Sequence, residues 1–305
     1  MILTIIVILF ILLLVLKGVL WMFSKEWINP NRVEYFEILD YLSQLKISDD
    51  ILYHNEDTYK DMEKYIKELG NYCDYQNSEK ICEWLDKSIL DVPNYKNIDG
   101  FTKKDIMHSN ILFNRDMISH DRIKRVHEFV NDYGETKAKL VGNYRSDIAS
   151  VGIMLDKDNY QSFWYGAEAN DIERFINSFM EYYRTKNDKE LFSNPLIRSS
   201  LIHLILMRIH PFGDGNKRSV RLLQNIALAS ELNELYNTNL RVLPLNTTLS
   251  MYMYRDSYTD RLARVFFDLN HKEENNIAIN KWIDFMLNIY DEQLYFCSSK
   301  LSSIK

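Results

Sequence analysis

Apolar positions along this 305-residue chain recur mostly every three to four residues, the period of a helix with one buried face. That spacing predicts helices over 33–46, 56–69 and 78–90, another starting at Phe101-Thr102, then 119–132, 169–184, 196–209, 215–232, 257–269 and 278–296. Gly70 stands where a helix stops, and Asp91 to Gly100 (DVPNYKNIDG) reads as a linker. One segment departs from the pattern. Residues 150–165, SVGIMLDKDNYQSFWY, place an apolar run, a polar turn and an aromatic run in succession, which predicts a single β-hairpin. The expected fold class is all-α with that one hairpin.

Residues 1–23, MILTIIVILFILLLVLKGVLWMF, leave the amphipathic pattern altogether, since only Thr4, Lys17 and Gly18 fall outside the apolar set. As a helix they span about 34 Å, enough for a hydrocarbon core of about 30 Å. Lys17 lies near the end of the run, where its stem reaches the interface, and Trp21 and Trp27 fall at headgroup depth. No Lys or Arg precedes the run and no small-x-small cleavage site follows it, so an uncleaved transmembrane anchor is expected rather than a signal peptide. Lys17, Lys25 and Arg32 follow the span, which puts the remaining chain on the cytoplasmic side of a single-pass protein.

Composition narrows the class. Nine glycines and five prolines are under half the ordinary share of about 12%, against turn-dense β-sandwiches and glycine-looped dinucleotide folds. Thirty-seven basic against 43 acidic residues give a net charge of −6, so no nucleic acid is expected as a partner. Cys73, Cys82 and Cys297 form neither a disulfide framework nor a C-x-x-C zinc pair.

The chemistry concentrates in IHPFGDGNKRSVR, 209–221. An apolar helix ends at His210-Pro211, because the residue before proline avoids the helical region. A tight loop with Gly213 and Gly215 follows, and a new helix opens near Asn216 with Lys217, Arg218 and Arg221 in its first turns. Glycines let backbone N–H groups approach a ligand, a helix N-terminus adds partial positive charge, and three cations surround it; this is the physics of an anion site. Arg218 and Arg221, three apart, share a face. Asp214 suits a Mg²⁺ that rides on a bound phosphate. His210 is the one group here that ordinarily titrates near neutrality and is the natural general base. Phe212, between polar neighbours, is expected to point inward and pin the loop.

This segment resembles the Fic motif, His-x-Phe-x-(Asp/Glu)-Gly-Asn-(Gly/Lys)-Arg-x-x-Arg, with His210, Phe212, Asp214, Gly215, Asn216, Arg218 and Arg221 in register. GNYR (142–145) is similar to the Gly-x-Tyr-Arg element before the family's flap, the 150–165 hairpin stands at the flap's position, and WIDFML (282–287) resembles the closing helix. The resemblance covers roughly residues 100–295. It implies a Fic-type helical bundle with a hairpin flap, behind the anchor (1–23) and an N-terminal helical region (24–95), with the catalytic domain over 96–296 and a tail at 297–305. It further implies transfer of AMP from ATP to a Ser, Thr or Tyr hydroxyl of a target protein docked on the flap. His210 then takes the hydroxyl proton and Asp214 holds Mg²⁺. Gly213, Gly215 and Asn216 cradle phosphates, and Lys217, Arg218 and Arg221 bind the phosphate end that departs. Family members often pair through helical surfaces, which allows a homodimer.

Lys217 stands where most AMP-transferring members carry a second glycine. The same position is lysine in the Doc toxins, and that likeness implies reversed ATP and transfer of the γ-phosphoryl group instead. A silent Fic-fold interaction protein is a third reading, opposed by the intact His210 and Asp214. The family's autoinhibitory segment, (Ser/Thr)-x-x-x-Glu-(Gly/Asn), has no intact copy; the nearest, SNILFN (109–114), has Phe113 at the glutamate position.

The other histidines read as ordinary. His203, seven residues before His210 on the same helix face, is expected in the core or behind the site. His120 and His127 read as surface or packing residues, and His54 as loop-like and uninformative.

Overall fold

The computed structural model describes residues 45–72, 118–132, 141–154, 160–184, 194–237, 245, 251, 255–271 and 275–301. The expected anchor (1–23), the helix expected at 78–90, the expected linker at 91–100, the helix start expected at Phe101, SNILFN and the hairpin tip expected at 156–159 lie outside them. Among the described residues no helix is long and apolar enough to cross a membrane.

The described chain builds seven α-helices and one antiparallel hairpin: α1 (Asp49–Tyr72), α2 (His120–Asp132), β1 (Ser150–Met154), β2 (Tyr160–Tyr165), α3 (Ile172–Arg184), α4 (Pro195–Ile209), α5 (Asn216–Tyr236), α6 (Arg255–His271) and α7 (Asn275–Leu301). A short 3₁₀ turn, Ala169–Asp171, occupies the start of the helix expected from 169. The expected helix at 56–69 begins earlier, at Asp49, with Asp49 and Asp50 in its first turn where the helix dipole favours acids. Leu45 and Lys46, expected at the end of a helix, lie in irregular chain ahead of α1.

α4 is the axis of the bundle. Every residue from Pro195 to Ile209 is buried, and a helix apolar on all sides belongs in the middle of a core. Its start is well specified: the Asn194 side chain accepts from the N–H groups of Leu196 (2.9 Å) and Ile197 (3.4 Å), and Pro195 fills the first helical turn. Around α4 pack α5, α7, α3 and α1, with α2 against α5 and α6 against both α7 and β2. A buried ion pair, Arg198 to Glu231 at 3.2 Å, ties α4 to α5, and the Arg198 guanidinium lies 4.7 Å from the Tyr183 ring of α3.

The hairpin pairs Ser150 with Tyr165 and Val151 with Trp164, then shifts register between Val151 and Gly152. A bulge of this kind sharpens the local twist. Trp164 anchors its base, buried edge-on against Phe266 of α6 with ring centroids 5.0 Å apart.

α1 is stapled to α7 by polar groups. Ser48 N–H donates to Asn280 Oδ1 (2.9 Å) and Asn280 Nδ2 donates back to the Lys46 carbonyl (2.9 Å). His54 corrects the expectation from sequence: it sits in α1, not a loop, with Nδ1 3.0 Å from Asp284 and Nε2 2.7 Å from Asp291. A ring that meets a carboxylate at each nitrogen donates from both, so it is an imidazolium.

Candidate active site

The chain between α4 and α5 turns within six residues, and its carbonyls are held one after another. Ile209 C=O accepts from Ala167 N–H (3.1 Å) and Pro211 C=O from Arg145 N–H (3.0 Å). Between them His210 C=O accepts from Arg145 Nε (2.8 Å). Asn216 closes the loop on itself: its Oδ1 accepts from Phe212 N–H (2.9 Å) and its Nδ2 donates to Phe212 C=O (2.6 Å). Asn216 was expected among the phosphate-binding residues; its side chain, 2% exposed, is used up in shaping the loop, and what it offers a ligand is the helix-start backbone.

His210 ends α4 with its own N–H on Leu206 C=O and a left-handed backbone, φ 51° and ψ 60°. The proline rule expects an extended residue here. A left-handed conformation costs a non-glycine residue about 1–2 kcal/mol, and the surrounding bonds hold it there. The residue is 9% exposed, and its Nδ1 is buried without a hydrogen bond of good geometry. Burial pushes its pKa down, the charges of Arg145 and Lys217 push it further, and the Met207 carbonyl pulls back only weakly, leaving it at about 3. The ring is therefore neutral, the form a proton acceptor requires.

α5 starts on Gly215 at φ 75°, a conformation that suits glycine, and no side chain caps its first turn, which also carries no acid. Lys217 and Arg218, both half-buried, lie in this uncapped first turn. Gly213 and Asp214 are exposed at the loop's outer edge, and a Cβ on Gly213 would meet no protein atom within 4 Å. The Gly213 position leaves room for a ligand rather than for packing. Asp214 Oδ1 accepts from Gly215 N–H at 2.6 Å, which fixes the carboxylate at the loop's outer edge. Among the described residues no group of three or more His, Cys, Asp or Glu side chains forms a metal cage. A lone carboxylate fits Mg²⁺, which typically takes one or two carboxylates and fills its remaining positions with substrate phosphates and water. Arg221 is buried. Its charge acts on His203 and Tyr258, whereas that of Arg218 acts on His127. Lys217 Nζ stands 6.0 Å from the Tyr258 ring centroid. The expected basic residues thus differ in setting, with Lys217 and Arg218 half-buried and Arg221 buried.

Three further groups hold this loop: His127, Arg145 and Gly166. His127 of α2 stacks on Phe212, centroids 3.8 Å apart and 10° between planes, and Phe212 points inward as expected. Gly142 N–H donates to His127 Nδ1 (2.9 Å), so the ring proton is on Nε2, which donates to Asp214 C=O (2.9 Å). Burial, more than any charge, lowers the His127 pKa and keeps that tautomer neutral. Arg145 and Gly166 flank the hairpin and touch His210. The GNYR motif pointed to Arg145, but nothing in the sequence assigned it a job, and Gly166 carried no signal.

His203 lies where expected, in the core behind the loop. Its Nδ1 donates to Gln224 Oε1 (2.6 Å) and its Nε2 accepts from Tyr258 OH (2.9 Å). Gln224 Nε2 donates to Tyr290 OH (2.7 Å), and Tyr290 OH donates to Ser199 Oγ (2.9 Å).

Residues 117–228 match the Fic/DOC family. Over 142 residues the chain is 30% identical to protein adenylyltransferase Fic of Nematostella vectensis, covering 47% of this chain. This chain spans only 30% of that relative's length. A Fic family protein from Desulfovibrio desulfuricans G20 shares the fold, with a TM-score of 0.52 and 18% identity, over 84% of this chain and 76% of that one.

Proposed function

A Fic/DOC family domain, distantly related to protein adenylyltransferase Fic, occupies residues 117–228 of this chain, and on that premise we propose that the protein transfers AMP from ATP to a hydroxyl of another protein. One observation carries the reading: a neutral imidazole, His210, is held beside a helix start that lacks a cap and is lined by cations. The leading N–H groups of α5 with Lys217, Arg218 and Arg221 receive the triphosphate. Asp214 would hold a Mg²⁺, which would supply charge neutralisation to the bound phosphates. His210 accepts the proton of a Ser, Thr or Tyr hydroxyl as its oxygen bonds to the α-phosphorus; the bond from that phosphorus to the bridging oxygen breaks, and pyrophosphate leaves. The anion raises the basicity of His210 when it binds, opposing the depression caused by Arg145 and Lys217.

A second reading, γ-phosphoryl transfer, rests on Lys217, which stands at the position where the Doc toxins carry lysine. Full-length protein incubated with target proteins and ATP labelled at the α or the γ phosphate separates the two. Label from α alone supports AMP transfer, and label from γ alone replaces it with phosphoryl transfer. No label from either position across broad targets supports a silent interaction protein. We also propose that residues 1–23 anchor the protein with its remaining chain in the cytoplasm. Protease protection of the C-terminal domain in intact cells agrees with this, and its digestion from outside reverses the topology.

A further inference from the structure

The hairpin and the catalytic loop are joined at more points than docking a target requires. Arg145, in the chain leading into β1, is 5% exposed and spends its whole guanidinium on carbonyls: Nε on His210 (2.8 Å), Nη1 on Asp147 (2.5 Å) and Nη2 on Ala167. Its own N–H takes Pro211 C=O, and Ala167 N–H, just past β2, takes Ile209 C=O. Three successive carbonyls, at 209, 210 and 211, are thus gripped from the two ends of one hairpin. Between the ends lies Gly166, whose N–H closes on Ala149 C=O (2.9 Å). A Cβ there would stand 2.7 Å from Arg145 Nη2, 2.8 Å from His210 Cβ and 3.2 Å from Ile209 O. There is no room for one.

We propose that Arg145, with Gly166, is a positioning residue that sets where the His210 imidazole stands by bolting both ends of the hairpin to the His210 backbone. This rests on the reading of His210 as the proton acceptor. A planar fork with three divergent nitrogens meets three carbonyls at once; a lysine ammonium at the end of a flexible stem does not reproduce that fork. A target that settles on the hairpin therefore acts on a segment rigidly continuous with the base that must receive its proton. The bolt makes no contact with ATP in this account, so it acts on the rate and not on nucleotide affinity.

The chain has five prolines, and only Pro211 follows a histidine. Protein labelled with carbonyl-¹³C histidine and ¹⁵N proline therefore reports the His210 carbonyl alone. In folded Arg145→Lys the His210 carbonyl resonance shifts from its wild-type position, kcat falls on the order of 100-fold, as expected for an approximately 1 Å misplacement, and KM for ATP stays near wild type. Gly166→Ala, which keeps the guanidinium, moves the same resonance and lowers kcat in the same direction; it carries the test if Arg145→Lys does not fold. An unmoved carbonyl, an unchanged kcat, or a loss confined to KM for ATP overturns the proposal. Wild-type protein that transfers no label overturns the proposed reaction instead. In that case the carbonyl alone decides whether the bolt exists: a shift in Arg145→Lys supports it and a fixed resonance refutes it.

Discussion

Two histidines seven residues apart have the same low basicity for different ends. His203 and His210 are both buried, and in both the pKa falls to about 3 chiefly through desolvation. His203 has each ring nitrogen satisfied, by Gln224 and Tyr258, within a chain of hydrogen bonds that crosses α4, α5, α6 and α7. His210 has a left-handed backbone, a buried Nδ1 without a well-formed partner, and cations on two sides. The contrast teaches that burial alone does not mark a reactive group. A satisfied imidazole rigidifies a core, whereas the one held in a strained backbone beside cations is the one proposed to accept a proton.

Substitution should separate the pair. His210→Ala is expected to lower the transfer rate about 10²–10⁴-fold, the usual worth of a general base, while the melting temperature stays near wild type; labelled-ATP assays and calorimetry read both. His203→Ala should do the reverse, leaving Gln224 and Tyr258 unsatisfied around a cavity and costing roughly 2–5 kcal/mol in denaturant unfolding, with activity kept wherever the protein is folded. Next comes Asn216→Asp, which keeps an acceptor for Phe212 N–H, loses the donor to Phe212 C=O and adds negative charge beside the phosphates. Weaker ATP binding and a loss of about 1–3 kcal/mol are expected by calorimetric titration and unfolding.

The smallest effect concerns pH, and here a third histidine sharpens the contrast. Burial lowers the His54 pKa, but the hydrogen bonds and charges of Asp291 and Asp284 outweigh it and leave the value raised. The α1–α7 staple is therefore complete below about pH 6.5 and fades as pH rises through the raised value. The depressed His203 and His210 act oppositely: the stability tied to their neutral forms is present above about pH 6.5 and is lost as pH falls toward 3. The stability difference between wild type and His54→Gln should accordingly shrink between pH 6 and 9, read by thermal melts. A difference that grows with pH would remove the imidazolium from the account.

Much of this arrangement could be read from local signals. The apolar run that stops at His210-Pro211 announces α4, the paired apolar and aromatic runs announce the hairpin, and the loop motif names its own residues because they lie within twelve positions. What escaped was everything assembled across distance. Arg145 reaches a carbonyl 65 residues away and His127 one 87 residues away. Backbone carbonyls leave no trace in side-chain patterns, so neither role had a signal. Gly166 is required by a neighbour's volume rather than by a turn, and volume is set only by packing. Asn216 shows the converse: its motif position suggested a ligand contact, and only the closed ring of bonds to Phe212 showed the amide already occupied. His54 was missed because α1 begins seven residues before its clearest periodic stretch.

The central claim, that the loop between α4 and α5 receives a triphosphate, is tested most directly with ¹⁵N-glycine labelling. The chain has nine glycines, so nine amide resonances report on the whole protein. On adding ATP and Mg²⁺, the Gly213 and Gly215 amides should shift saturably while Gly18 and Gly70 stay in place. Saturation of the protein with nucleotide while Gly213 and Gly215 remain unmoved would contradict the account.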